Sequence, residues 1–249
     1  MDEFDIIETM FAPIAGAPGA AGLRDDVAEL DCGDGRLVAT CDTIVEGVHF
    51  LSDDPIETVA RKLVRVNVSD LLSKGARPKD ALLSLAWPQG RSTEALQSFA
   101  NALGDDLSHW GACLVGGDTV RMSGPLTLTL TLTGGCGERG PVRRSGASAG
   151  ETVWVTGVIG AGALGLAAAR RGETDWPASA YRLPELPRLA VADLIADYAT
   201  ASMDLSDGLV GDAGKLADAS GVALCLDFDS VPWALRSNDL DVLRAQATG

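Results

Sequence analysis

The residues with most chemistry in them are acids set beside small residues. Asp25-Asp26 follows a loop rich in Gly, Ala and Pro, Asp42 ends an apolar run, and Asp70 sits in a helical pattern. Asp118 follows Gly116-Gly117, and Asp204 and Asp207 precede Gly208. Taken singly, each has an ordinary explanation: Asp207 or Ser206 caps a helix, Asp118 forms a turn, Asp70 pairs with Lys74. As a set they differ from a solvated charge run, because several fall at element ends next to Gly, Ser or Thr. Converging carboxylates repel one another and need cations, and hard oxygen ligands without His or Cys select Mg²⁺ or Ca²⁺. The EF-hand pattern is absent from the sequence, which argues against Ca²⁺ sensing. Acids that collect Mg²⁺ beside Gly-rich backbone suit phosphoryl transfer, where catalysis is mostly positioning and charge neutralisation. Gly116-Gly117 would let amides approach phosphate oxygens, and Arg144 would supply a guanidinium fork.

The elements that must position these acids can be read from periodicity. Residues 2–12 predict a short amphipathic helix, and residues 37–41 a buried strand that delivers Asp42 and Thr43 at its end. Apolar Val59, Leu63, Val66, Leu71 and Leu72 recur at helical spacing over residues 56–74, with Gly75 and Pro78 as the stop. Asn67, Asp70 and Lys74 then share one face of that helix. Residues 81–86 predict a strand, 93–110 a helix, and 112–115 a strand ending in Gly116-Gly117-Asp118-Thr119. From Leu126 to Thr133, Leu and Thr alternate with period two, so one face is apolar and the other carries Thr, as suits an edge or a strand paired across subunits. Turns follow, with Arg139, Arg143 and Arg144, and a domain boundary is placed near Gly150, giving domains of residues 1–149 and 150–249. The second predicts strands at 152–156 and 222–228 and helices ending near Arg171, at 188–198, and from Gly208 to Ser220 with Gly221 as the stop. Strands alternating with helices make the fold class α/β to α+β.

Composition narrows the function. The chain has 249 residues, 35 Asp and Glu against 20 Lys and Arg, a net charge of −15, and 46% hydrophobic residues. It is apolar enough for a real core, and its charge opposes nucleic-acid and anionic-membrane partners, so a phosphorylated ligand would need bridging cations. Cys32, Cys41, Cys113, Cys136 and Cys225 show no C-x-x-C spacing, and only His49 and His109 offer imidazoles, which disfavours zinc and fits a reducing, cytoplasmic compartment. The N-terminus is acidic, and the longest uncharged run, residues 152–169, is broken by Gly and short for a membrane span.

Two nucleotide motifs are near misses. Gly160-Ala161-Gly162-Ala163-Leu164-Gly165 matches G-x-G-x-x-G, but Pro-rich sequence follows where a second parallel strand with a terminal acid is required, so close helix packing by Gly is the better reading. Gly208 to Lys215 has one residue too many for a phosphate loop, and Leu216 stands where a metal-binding hydroxyl belongs.

The acidic segments carry a resemblance. Leu23-Arg24-Asp25-Asp26-Val27-Ala28, Cys41-Asp42-Thr43-Ile44-Val45-Glu46-Gly47-Val48-His49-Phe50, Asn67-Val68-Ser69-Asp70-Leu71, Gly116-Gly117-Asp118-Thr119, Arg144-Ser145-Gly146-Ala147 and Asp204-Leu205-Ser206-Asp207-Gly208-Leu209 resemble the thiamine-monophosphate kinases. Those belong to the superfamily that includes aminoimidazole ribonucleotide synthetase, and the segment from Cys41 to Phe50 is the most discriminating. The resemblance implies ATP-dependent phosphorylation of thiamine monophosphate, directly in line, with several Mg²⁺ ions. It implies metal ligation by Asp26, Thr40, Asp42, Asp70, Asp118, Asp204 and Asp207, with Cys41 at a position usually held by a hydroxyl residue and included among the candidate ligands. Asp42, Asp70 and Asp207 would be central to catalysis, Gly117, Asp118, Arg144 and Ser206 would touch ATP, and His49 would touch the substrate. The implied fold has two domains, the first joining a homodimer barrel and the second α+β.

Three departures accompany the resemblance. Arg24 stands where the family usually has Gly, Cys41 replaces Ser or Thr, and the family continues past the position of Thr248-Gly249 into a segment that helps enclose thiamine. An incomplete C-terminal domain is therefore expected. Another ATP-dependent synthetase of the superfamily and a non-catalytic Mg-nucleotide binding module are the rival readings; the N-terminal Cys/Lys pair of selenophosphate synthetases is absent.

Overall fold

The protein is represented by a computed structural model that describes residues 5, 7–15, 17–31, 36–235, 237 and 240–248. Among these, five strands form one mixed sheet: β1 (Ala28–Asp31), β2 (Arg36–Val45), β3 (Arg77–Pro88), β4 (Cys113–Met122) and β5 (Thr127–Cys136), in the order β1-β2-β5-β3-β4. Every pair is antiparallel except β3 and β4, whose parallel pairing follows from the helical crossover α2 (Thr93–His109) between them. The long helix α1 (Ile56–Ser73) buries Val59, Leu63, Val64, Val68 and Leu71. These join one core with Val38 and Ile44 of β2 and Leu128, Leu130 and Leu132 of β5. Full burial of each such Leu contributes about 1.5–3 kcal/mol, so this layer dominates the local stability.

The Leu/Thr alternation resolves as expected, with Leu on the core face and Thr half-exposed on the other. Its placement differs from the expectation of an edge, since β5 lies between β2 and β3. Its Thr face is held by cross-strand contacts, Thr43 Oγ1 to Thr129 Oγ1 at 2.7 Å and Thr131 Oγ1 donating to Cys41 Sγ at 3.3 Å. The edges are β1 and β4, and β4 is exposed on both faces, with Leu114, Val115 and Val120 uncovered. Gly116-Gly117-Asp118-Thr119 lies inside β4 instead of following it. The reason is local: a Cβ on Gly117 would fall 1.9 Å from the Leu83 carbonyl oxygen, so only Gly lets β4 come this close to β3.

Beyond the sheet come α3 (Ala161–Ala169), α4 (Ala178–Arg182), α5 (Ala190–Tyr198), α6 (Leu209–Ser220) and α7 (Leu240–Thr248). Helix α6 ends as expected at Gly221, in the left-handed conformation with φ +66°. The strands expected at 152–156 and 222–228 do not form a ladder; among the described residues this region has a single bridge, Ile159 to Trp233. β-Prone residues become a strand only when a neighbour accepts their backbone hydrogen bonds, and here Trp154 and its neighbours stand exposed. The expected N-terminal helix is instead a π-type turn at Ile7–Phe11 followed by 3-10 turns at Ala12–Ile14 and Pro18–Leu23, since Pro13 and the Gly/Ala/Pro run break a longer helix. Residues 2–4 and residue 6 of that expectation, and Cys32, lie outside the described residues. Helix α5 packs back on the first core through Ala192, and Arg77 Nε donates to Asp193 Oδ1 at 3.0 Å, which ties the second half of the chain to the sheet.

Candidate metal and phosphate site

Carboxylate oxygens of Asp26, Asp70 and Asp204 lie within 4.8 Å of one another. Each arrives from a different segment. Asp70 is fixed by α1, whose Asn67 donates through Nδ2 to the Leu63 carbonyl at 2.9 Å and accepts the Asp42 N–H at 3.3 Å. That bond seats β2 against α1 with Thr40 and Asp42, two residues apart, on the same side. Thr40 Oγ1 then donates to Asp70 Oδ2 at 2.5 Å. Asp204 comes from the loop before α6, where buried Asp212 accepts the N–H groups of Ser206 and Asp207, both at 2.9 Å. Lys215 pairs with Asp212 at 3.0 Å and Asp207 at 2.5 Å.

The acids are strained electrostatically. Burial, with the charges of Asp204 and Asp42 added to it, pushes Asp70 up to about 9. Asp204 rises to about 7, first through burial and then through Asp26, and Asp42 is also raised, mainly by burial. The neighbouring cations pair with Asp25 and Asp26 instead of with these three acids. Lys74, wholly buried, pairs with Asp25 Oδ1 at 3.0 Å and with Asp26 Oδ2, and donates to the Ser202 carbonyl at 2.6 Å. Arg144 donates through Nε to Asp26 Oδ1 at 3.0 Å and also through Nη2. Asp26 Oδ2, although paired in charge with Lys74, is buried without a correctly directed hydrogen-bond donor. An all-oxygen donor set and carboxylates whose burial and mutual repulsion raise their pKa fit a hard divalent cation.

The cluster opens on a cleft of about 2750 Å³ whose walls include His49, Lys62, Tyr181, Arg144 and Ser206. His49 is exposed there, its Nδ1 accepting the Val45 N–H at 3.0 Å and its carbonyl accepting from Lys62 Nζ at 3.0 Å. Lys62 Nζ lies 3.7 Å above the Tyr181 ring, and burial lowers its pKa to about 8. The structure thus gathers Asp26, Thr40, Asp42, Asp70, Arg144 and Asp204, with His49, Ser206 and Asp207 on the cleft wall. Asp207 is exposed and engaged with Lys215. Gly117 and Asp118 are elsewhere, on exposed β4 and outside the residues lining the cleft. The Cys41 thiol is not brought to the acids, because strand alternation turns it to the opposite sheet face, toward Thr131.

The Gly160 to Gly165 motif is explained by packing. A Cβ at Gly160 would lie 2.4 Å from Gln246 Cβ, and one at Gly165 would lie 2.4 Å from the Pro177 carbonyl oxygen. Lys74, Lys62 and Asp212 are site residues that the sequence motifs do not mark. Asp212 and Lys215 do leave a signal, an acid in the first turn of a helix three residues before a cation.

The sequence matches AIR synthase related protein, N-terminal domain, over residues 24–136 and AIR synthase related protein, C-terminal domain, over residues 148–249. It is 39% identical over 235 residues to the thiamine-monophosphate kinase of Caulobacter vibrioides, covering 92% of this chain and 66% of that protein. It is 36% identical over 222 residues to that of Escherichia coli K12, covering 86% and 67%. The chain thus spans about two thirds of the length of these relatives. Among solved structures, AaThiL complexed with AMPPCP and TMP superposes with a TM-score of 0.88 at 29% identity, over 99% of this chain and 81% of that one. The thiamine-monophosphate kinase of Stenotrophomonas maltophilia K279a superposes with a TM-score of 0.76 at 31% identity, over 97% and 83%. By sequence and by its two-domain fold with a mixed sheet, the chain belongs to the thiamine-monophosphate kinase family of AIR synthase related proteins.

Proposed function

We propose that the chain transfers the ATP γ-phosphoryl group to thiamine monophosphate, giving thiamine diphosphate, in a Mg²⁺-dependent reaction. The observation that carries this reading is the convergence of Asp26, Asp70 and Asp204 within 4.8 Å beside a cleft walled by His49 and Arg144. A superposable relative is described as complexed with AMPPCP and TMP, an ATP analogue and the monophosphate. Asp26, Asp70 and Asp204, with Asp42 and Thr40 beside them, would hold Mg²⁺. When bound, Mg²⁺ supplies charge neutralisation and orientation of phosphate oxygens. Arg144 and Ser206 would contact ATP, and Arg144 already presents its guanidinium at the edge of the cluster. His49 would contact thiamine monophosphate, with its ring oriented by the Val45 N–H. In-line transfer to a phosphate oxygen needs no strong protein base, in keeping with a site of acids and cations.

We also infer a homodimer in which the N-terminal sheets join as a barrel. Support comes from β4, an edge strand whose Leu114, Val115 and Val120 are uncovered, and which carries Gly117 and Asp118 away from the acid cluster of the same chain. Asp118 and Asp207 would complete the metal set in that assembly. No helix among the described residues is long and apolar enough to cross a membrane, and the reading of a cytoplasmic enzyme is kept as part of this proposal. The test is direct detection of thiamine diphosphate after mixing the chain with ATP, Mg²⁺ and thiamine monophosphate, with free thiamine as control. Product from the monophosphate alone supports the kinase; Mg-dependent ATP binding with no product under any Mg²⁺ concentration supports a binding module instead.

A further inference from the structure

Lys74 touches each of the segments that build the acid cluster. It lies one turn beyond Asp70, at the C-terminal end of α1, where the helix dipole favours a cation. Its Nζ meets Asp25 and Asp26 from the N-terminal loop and the carbonyl of Ser202, two residues before Asp204. Its own carbonyl accepts the Val142 N–H at 3.0 Å, next to the segment carrying Arg144. A wholly buried ammonium persists only where oxygens surround it, and here those oxygens belong to the loops that must bring the carboxylates together.

We propose that Lys74 is a positioning residue: a built-in cation that holds the Asp26, Asp70 and Asp204 segments in register and carries part of the countercharge that divalent metal completes. This rests on the reading of the cluster as a Mg²⁺ site. Lys74 and Mg²⁺ then act on the same surplus negative charge, so loss of one makes the fold depend more on the other.

The experiment compares melting temperatures of the wild-type chain, K74M and K74R in EDTA and in saturating Mg²⁺, with Mn²⁺ binding followed by electron paramagnetic resonance. In EDTA, K74M should melt roughly 10 °C below wild type, and Mg²⁺ should recover at least half of that loss. K74R, which keeps the charge, should stay closer to wild type in both. An equal loss for K74M with and without Mg²⁺ would make Lys74 a packing residue and overturn the proposal. If K74M does not fold, the charge-balanced double variant D25N/K74M decides: recovery of a folded protein supports the electrostatic role, and failure refutes it. Wild-type protein that neither binds Mn²⁺ nor gains stability from Mg²⁺ would instead remove the metal reading itself.

Discussion

Asp70→Asn should make the metal-free protein more stable while abolishing its response to Mg²⁺. Ionised carboxylates whose oxygens lie within 4.8 Å of one another repel by about 3.5 kcal/mol or more at an effective dielectric constant near 20. Burial first, and then the charges of Asp204 and Asp42, raise Asp70 from 3.8 to about 9. Below pH 3.8 it is protonated in both the folded and the unfolded chain, and ionisation has no effect on stability. As the pH rises from there, the unfolded chain ionises while the folded one keeps its proton, so stability falls, and the full penalty is reached only above about 9. At pH 8 the penalty is about 6 kcal/mol at most. Asparagine removes it and still accepts the Thr40 hydroxyl hydrogen bond. The expected gain at pH 8 in EDTA is therefore about 3–6 kcal/mol, or a rise in melting temperature of roughly 10 °C, shrinking toward nothing near pH 4. Calorimetric melting across that pH range, with EDTA or Mg²⁺, is the assay. A variant that melts at or below wild type in EDTA at pH 8 would refute the argument that these acids are in mutual conflict without a cation.

Metal binding should expel protons: with Asp70 at about 9 and Asp204 at about 7, about 1.5 protons should leave per site filled at pH 7, measurable by titration calorimetry in buffers of different ionisation enthalpy. Release of none would mean the acids are already ionised. His49→Asn should raise the KM for thiamine monophosphate several-fold with little change in that for ATP, and an effect confined to ATP would take His49 out of the substrate site. Gly165→Ala should lower stability by about 1–3 kcal/mol, because its Cβ meets the Pro177 carbonyl at 2.4 Å and Tyr181 Cβ at 2.7 Å, while leaving the ATP affinity of the folded protein unchanged. Urea unfolding and nucleotide titration separate the two effects.

The face of α1 shows why part of this site is legible in the sequence and part is not. Helical spacing alone places Asn67, Asp70 and Lys74 together, and strand alternation alone places Leu and Thr on opposite faces of β5, because both follow from backbone periodicity. Neither rule names partners across the chain. Sequence spacing pairs Lys74 with its helix neighbour Asp70, the nearest opposite charge on that face, yet its side chain reaches Asp25 and Asp26, far earlier in the chain. Asp70 is left to Thr40, Asp42 and Asp204, and it is this division that creates the conflict. The same limit governs the failed strands at 152–156 and 222–228, whose β-prone residues lack a ladder partner among the described residues. It governs β5 as well: a Thr-bearing face suggests an edge, whereas position in a sheet is decided by which strands pair with which. Cys41 marks the reverse case, since the alternation of Thr40, Cys41 and Asp42 along a strand is by itself enough to turn the thiol away from the acids. A local rule thus fixes direction and a pairing fixes charge balance. In this chain the two disagree above all at Asp70, whose helix neighbour Lys74 is paired with Asp25 and Asp26, and that is the charge which the proposed Mg²⁺ would balance.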